Sequence, residues 1–363
     1  MANSVKSSNT LHIHSRDIRN YDAVGHFSLQ LAELMGQIGW KVHLWAENFD
    51  EGLSSKVGHR SHFYDQLQPK DVIFLNHSIY DPDLEKIASL ENKKVLYYHN
   101  ITPSNLLGDD EQITRTNCKK GEEQIPLFPL FDEVVANSKF TAATIKQSFE
   151  EHGVKFDRDI NNLPPLVRTN MPRVPERNQS FDMRFLYVGR FVKHKRVDQL
   201  LDVFEQISLE RPGCSLTLVG GPPEGVCVDV LRLRAREVQE RTGSKIQFFH
   251  HLSAEDLTRV YLESSACLHM SEHEGFCVPA LDSILFDLPM FFRSQSAILE
   301  VLGLSGRTIS ENAFEGAVQI LNFLNDKKTL DEDSKKRSDR REFWKTELNG
   351  SKIANLIEGL SRQ

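Results

Sequence analysis

The chain alternates short apolar runs with stretches whose apolar residues recur at helical spacing. In the first half, LHIH, VHLWAE, DVIFLNH, VLYYHN and EVVAN are too short for helices and apolar enough for burial on both faces, so they predict parallel strands. Between the first two, Phe27, Leu31, Leu34, Met35 and Ile38 fall on one helical face, and Gly39 ends the helix. After the fifth run, Ser138 is placed to cap a helix that Gly153 stops. The pattern restarts at RFLYVG and continues through a helix with Val197, Leu200, Leu201, Phe204 and Ile207 on one face. Further strands are predicted at SLTLVGG, KIQFFHH, ACLHMS and LPMFF. Alternation of this kind means two tandem α/β domains, each a parallel sheet with helices on both faces.

The two series are separated by NNLPPLVRTNMPRVPERNQSFDM, where Pro164, Pro165, Pro172 and Pro175 can continue neither a helix nor a central strand. This stretch reads as the interdomain linker. Near the end, DKKTLDEDSKKRSDRR predicts a solvated helix face or loop. Beyond it, Ile353, Leu356, Ile357 and Leu360 form the apolar stripe of a packed terminal helix.

Composition narrows the class. The 363 residues carry 44 basic and 51 acidic side chains, a net charge of −7 that lacks the footprint of a nucleic-acid-coating protein. The five cysteines (Cys118, Cys214, Cys227, Cys267, Cys277) form no C-x-x-C pair, which points away from a zinc knuckle or disulfide framework and towards reduced thiols in the cytoplasm. The opening MANSVKSSNT has no apolar core of a signal peptide, and no apolar run is long enough to span a membrane.

Chemistry concentrates in two C-terminal segments. In SEHEGFCVPALDSILFDLPM, a buried strand ends at Ser271, Glu274 follows in a loop, Gly275 permits close backbone approach, and Pro279 suits a first helical turn. Glu274 is thereby expected at the carboxyl edge of the sheet, where open α/β folds bind ligands, with the free N–H groups around Phe276, Cys277 and Val278 beside it. In FLYVGRFVKHKRVDQLL, Arg190 and Lys195 flank a strand–helix junction, a planar fork and a point charge suited to clamping a diphosphate. In the first half, Gly25 precedes a helix and could let an amide approach a phosphate, and His99 ends the fourth strand. Gly220 and Gly221 end a strand, and the adjacent His250 and His251 point to opposite faces of another, a weak basis for zinc.

Taken together, VGRFVKHKRVDQLLDVF and EGFCVPALDS, with YDAVGHFSLQLAELMGQIGWKVHLWAE, YYHNITP and ANSKFTAATI in the first half, resemble glycosyltransferase family 4. That resemblance implies an α/β GT-B fold of two Rossmann-like parallel-sheet domains facing across a cleft. It implies an acceptor domain over 1–170, a sugar-nucleotide domain over 171–340, and a helix over 341–363 packing back on the first. It implies a retaining, metal-independent enzyme without a cofactor, moving a hexose-type sugar from a UDP-sugar or GDP-sugar to a hydroxyl of a glycan or lipid-linked glycan. Arg190 and Lys195 would hold the diphosphate. Glu274, with the amides of Gly275 and Phe276, would meet the sugar hydroxyls, and Asp282, where the family usually has Glu, the ribose. His99 would approach the reacting sugar and acceptor. Surface polysaccharide or lipopolysaccharide assembly is the expected setting, with weak, reversible contact at the inner face of the membrane. Other readings share the fold: a sugar-nucleotide epimerase or a phosphorylase, the latter disfavoured by size and the lack of an identified cofactor lysine, and a non-catalytic carbohydrate-binding protein. An NAD-dependent enzyme is disfavoured because no G-x-G-x-x-G follows the first strand.

Overall fold

The computed structural model describes residues 9–20, 22–167, 183–222, 225–293 and 296–362. The chain divides into two compact units. Met1–Ser104, Ile113–Thr169 and Glu347–Gln363 form the first, Asn105–Gln112 and Asn170–Thr346 the second. Of the expected linker prolines, Pro164 and Pro165 follow the last strand of the first unit, and Pro172 and Pro175 lie outside the described residues.

The first unit holds β1 (Thr10–Ile18), β2 (Lys41–Phe49), β3 (Val57–His59), β4 (Val72–His77), β5 (Lys94–Tyr98), β6 (Glu133–Ala136) and β7 (Asn161–Asn162). They pair in the order β3-β2-β1-β4-β5-β6-β7, every pairing parallel. The second unit holds β8 (Arg184–Val188), β9 (Ser215–Val219), β10 (Lys245–Phe249), β11 (Ala266–His269), β12 (Met290–Phe292) and β13 (Gly306–Thr308). These pair in parallel in the order β10-β9-β8-β11-β12-β13. Both sheets reverse direction of growth once, between β1 and β4 and between β8 and β11. Such a reversal opens a crevice at the carboxyl ends of the two central strands.

Every apolar run singled out in the sequence is a strand. The three strands it did not announce, β3, β7 and β13, have two or three residues each and lie at sheet edges, where little burial is asked of them. The first helix, Ala23–Gln37, buries Phe27, Leu31 and Met35 against Leu11 and Ile13 of β1. Ile38, expected on that face, is exposed because the helix stops one residue earlier and Gly39 turns the chain at φ +92°. The helix Lys139–Glu151 is capped by Ser138, whose Oγ accepts from the Thr141 amide at 3.0 Å. In the second unit, Val197, Leu200, Leu201, Phe204 and Ile207 of the helix Val197–Glu210 share one core with Phe185, Tyr187, Leu216 and Leu218. The last helix, Ser351–Ser361, places Ile353, Ile357 and Leu360 in the same apolar cluster as Leu11, Phe27 and Leu31 of the first unit.

The mixed-charge run is a largely solvated helix face, as expected, apart from two buried charges. It lies in a helix, Lys327–Glu347, in which Asp333 is 0% and Arg337 3% exposed. Arg337 bonds Asp333 and also donates Nε to Asp287 at 2.8 Å, while Arg307 lies 3.3 Å from Asp333. Partners distant in the chain bury charges that look solvent-directed locally.

Candidate functional site

The reversal between β8 and β11 explains why residues about eighty positions apart meet. Past β8 the chain turns at Gly189, where the Tyr187 hydroxyl donates to the Arg190 carbonyl at 2.8 Å and holds the loop. A single turn over Lys193–Lys195 follows, and Arg196 takes a left-handed conformation, φ 47°, before the next helix. Past β11, the Glu272 amide donates to the His194 carbonyl at 2.8 Å, joining the two loops backbone to backbone. This brings Lys195 Nζ to 2.5 Å from Glu274 Oε1, with both side chains largely buried.

Burial alone would raise the Glu274 carboxyl. The Lys195 ammonium, with His269 and a hydrogen bond from Ser271, outweighs it and holds the carboxyl down at about 2. Glu274 is therefore an ionised, acceptor-only group at neutral pH. His269 donates Nε2–H to the Val188 carbonyl at 3.2 Å, so its Nδ1 lone pair faces Glu274 Oε1 at 3.8 Å. Cys277 completes a trio with His269 and Glu274 whose ligand atoms lie within 4.8 Å of one another, but the shared Glu274 oxygen is already held by Lys195. His194, buried under the same loop, is pushed down to about 3 by burial and then by the Lys195 and Arg190 charges, which keeps it neutral. Arg190 itself is exposed, and its guanidinium makes no ion pair among the described residues.

The loop after Glu274 enters the helix Val278–Leu285 through Cys277, a buried residue at φ 71°, a conformation that favours glycine. Phe276 packs edge-on against Trp344 at 5.5 Å, and Gly275 is half-buried. Asp282 lies inside that helix and accepts from the Tyr261 hydroxyl at 3.2 Å. Burial raises its carboxyl to about 7, with the Tyr261 bond pulling the other way. Asp282 makes no contact with Lys195 or Glu274 among the described residues.

Gly25 and His99 belong to the first unit. Gly25 lies in the first turn of the helix Ala23–Gln37. Its amide, with that of Val24, is bonded to the Asp22 carboxylate, which caps the helix at 3.1–3.2 Å. A side chain at Gly25 would meet the Arg19 backbone at 2.3 Å, so close packing accounts for the glycine. His99 follows β5. Its backbone amide donates to the His77 carbonyl at 2.9 Å, and its ring Nε2 lies 3.0 Å from Asn76 Oδ1.

Gly220 is likewise explained by packing: a Cβ there would stand 1.8 Å from the Gly189 carbonyl oxygen. His250 does not form a pair with its neighbour; its ring bridges Arg232 and the Gly220 carbonyl. A second buried cluster sits at the β1–β4 reversal, where His14 Nε2 lies 3.2 Å from Asp81 and 4.0 Å from Asp83. There Arg60 already holds Asp83 Oδ2 at 2.5 Å. His194, His269, Tyr261, Asn76 and Asp81 all lay beyond local sequence reasoning, because the spacing that unites them is set by strand order rather than by chain distance.

Comparison with known proteins gives a family match for part of the chain and a fold for the whole of it. Residues 173–339 match the family described as Glycosyl transferases group 1. No curated protein matches the chain by sequence. Among solved structures, the chain is similar to a sucrose-phosphate synthase from Thermosynechococcus elongatus (TM-score 0.72, 16% identity, 98% of each chain covered). It is similar to an α,α-trehalose-phosphate synthase (UDP-forming) from Burkholderia vietnamiensis (0.74, 10%, 98% of each). It is also similar to S. aureus TarM in complex with fondaparinux, alpha-GlcNAc-glycerol and UDP (0.62, 15%, 84% of this chain and 58% of that one). At these identities the likeness carries the fold. Residues 173–339 are thus similar to the glycosyl transferases group 1 family, and the chain has the GT-B fold of two Rossmann-like parallel-sheet units.

Proposed function

We propose that the chain is a retaining, metal-independent hexosyltransferase of family 4. In this reading it moves a sugar from a UDP-sugar or GDP-sugar to a hydroxyl of a glycan or lipid-linked glycan, in surface polysaccharide or lipopolysaccharide assembly. The observation that carries the reading is the Lys195–Glu274 pair at the β8–β11 reversal, with Arg190 exposed on the same loop.

When the bond between the anomeric carbon and the β-phosphate oxygen breaks, its electron pair leaves with the diphosphate. Arg190 and Lys195 are the cations that receive that charge, and fixed charges aimed at a leaving group are among the strongest catalytic devices. Lys195 is already oriented by Glu274, so little reorganisation accompanies the step. Glu274, held ionised, accepts hydroxyl hydrogens of the donor sugar, and the amides of Gly275, Phe276 and Cys277 stand beside it. Asp282, which accepts from the buried Tyr261 hydroxyl, takes the ribose hydroxyls. The acceptor oxygen bonds to the face that the diphosphate leaves, and its proton passes to the departing phosphate oxygen. No carboxylate nucleophile is needed, unlike in the two-carboxylate glycosidases. His99 receives a hydroxyl in the first unit.

The test is a panel of UDP-glucose, UDP-galactose, UDP-N-acetylglucosamine and GDP-mannose, scored for free nucleoside diphosphate with and without acceptor extract, followed by NMR of the product's anomeric proton. Acceptor-dependent release with the donor's anomeric configuration supports the reading. Acceptor-independent release of free sugar favours the epimerase-like alternative. Failure of every donor to bind favours the carbohydrate-binding one.

A further inference from the structure

His99 is held by a chain of hydrogen bonds whose direction is forced from one end. The Val24 carbonyl can only accept, so the Ser28 hydroxyl donates to it, at 2.9 Å. With its hydrogen committed, Ser28 Oγ accepts from Asn76 Nδ2, at 2.9 Å. That orients the amide, leaving Asn76 Oδ1 to face His99 Nε2 at 3.0 Å. A carbonyl oxygen accepts, so Nε2 carries the hydrogen. The remaining ring nitrogen, Nδ1, then holds a lone pair and has no hydrogen-bond partner among the described residues. Ser28 and Asn76 are both buried, away from competing water.

The surroundings fix the ring as well as its tautomer. The His99 backbone is pinned on both sides, its amide to the His77 carbonyl and its carbonyl to Asn137 Nδ2 at 3.0 Å. Phe27 meets the ring edge-on at 5.3 Å and Tyr97 lies tilted at 4.7 Å. A ring held in place by packing with one nitrogen donating inward is the arrangement by which a histidine is made to present its other nitrogen outward.

We propose that Ser28 and Asn76 are positioning residues that lock His99 as the Nε2–H tautomer, so that Nδ1 accepts a hydrogen bond from a hydroxyl of the sugar or acceptor. The inference deepens the transferase reading and rests on it for the identity of that hydroxyl. It also assigns His99 a limited task. Burial, and to a lesser extent His77, push the ring down to about 3, so it stays neutral at working pH. A group so weakly basic orients a hydroxyl and does not take its proton away, in keeping with a phosphate oxygen as the base.

The lock is read without any substrate. Proton–nitrogen correlation spectra of the full chain labelled with 15N-histidine report the tautomer of each ring. Wild type is expected to show His99, assigned by its loss in His99→Gln, as Nε2–H by at least about 10 to 1. In Ser28→Ala the amide of Asn76 is free to turn, and in Asn76→Ala the Nε2 partner is gone, so each should mix the two tautomers. Ser28→Ala removes one hydroxyl only and serves if the buried Asn76 site does not tolerate alanine. Wild-type His99 as Nδ1–H, or an unchanged tautomer in both variants, overturns the lock. With a donor from the panel above, Ser28→Ala should lower kcat about 3- to 10-fold with unchanged donor KM. Unchanged kcat alongside a lost tautomer and an impaired His99→Gln overturns the positioning role. A fully active His99→Gln defeats instead the underlying reading of His99, whatever the spectra show.

Discussion

Replacing Asp282 by Asn tests the electrostatics of the helix that follows Glu274. The Asp282 carboxyl is raised from an ordinary 3.8 to about 7, chiefly by burial, while Tyr261 donates to one oxygen. The folded protein therefore holds a proton there that the unfolded chain has released. Stability from this source is complete below pH 3.8 and is lost as pH rises towards and through 7. Between pH 5.5 and 8 the loss amounts to at most about 2 kcal/mol, because each pH unit below 7 contributes about 1.4 kcal/mol, reduced by the partial exposure of the group. Asn has the same shape, accepts from Tyr261 and does not titrate. Urea unfolding of wild type and Asp282→Asn at pH 5.5 and 8 isolates the effect, because the buried histidines, which act in the opposite sense, cancel in the difference. The variant should gain about 1–2 kcal/mol on wild type between the two pH values. A difference that stays constant within about 0.3 kcal/mol would refute a protonated Asp282.

The same Asp282→Asn variant should raise donor KM while changing kcat little, as expected of a ribose contact made alike in ground and transition states; steady-state kinetics decides this. Gly220→Ala drives a methyl into the Gly189 carbonyl, and should cost at least about 2 kcal/mol in urea unfolding; full stability would show that the loop between β9 and the next helix can yield. Arg337→Ala leaves Asp333 buried without its closest cation and should cost about 3–5 kcal/mol by the same assay, whereas a loss under about 1 kcal/mol would return this pair to a solvated role.

The fold was legible in the sequence wherever burial imposed a period. The runs ending at His77, Tyr98 and Val188 are apolar because both faces of a central parallel strand are covered, and the Val197–Glu210 helix shows its core face as a stripe. Two-residue and three-residue edge strands leave no such mark. Ion pairing leaves none either: Asp333 and Arg337 read as solvent-facing because their partners Asp287 and Arg307 lie in other elements. Lys195 and Glu274 could be singled out because each stands at a strand–loop junction. That the two touch depends on β8 lying beside β11, which is a property of strand order. Gly25 shows the opposite limit: a glycine at a helix start reads alike whatever requires it, and the Arg19 backbone that a side chain there would meet lies outside the helix.

The central claim is that Arg190 and Lys195 carry the charge of a departing nucleoside diphosphate. Its most direct measurement is turnover of Lys195→Ala and Arg190→Ala with the donor selected by the panel, alongside calorimetric binding of the free nucleoside diphosphate and circular dichroism to establish folding. Both variants are expected to fold, to bind the diphosphate more weakly than wild type and to turn over at least about 100-fold more slowly. Folded variants of both residues with diphosphate affinity and turnover near wild type would contradict it.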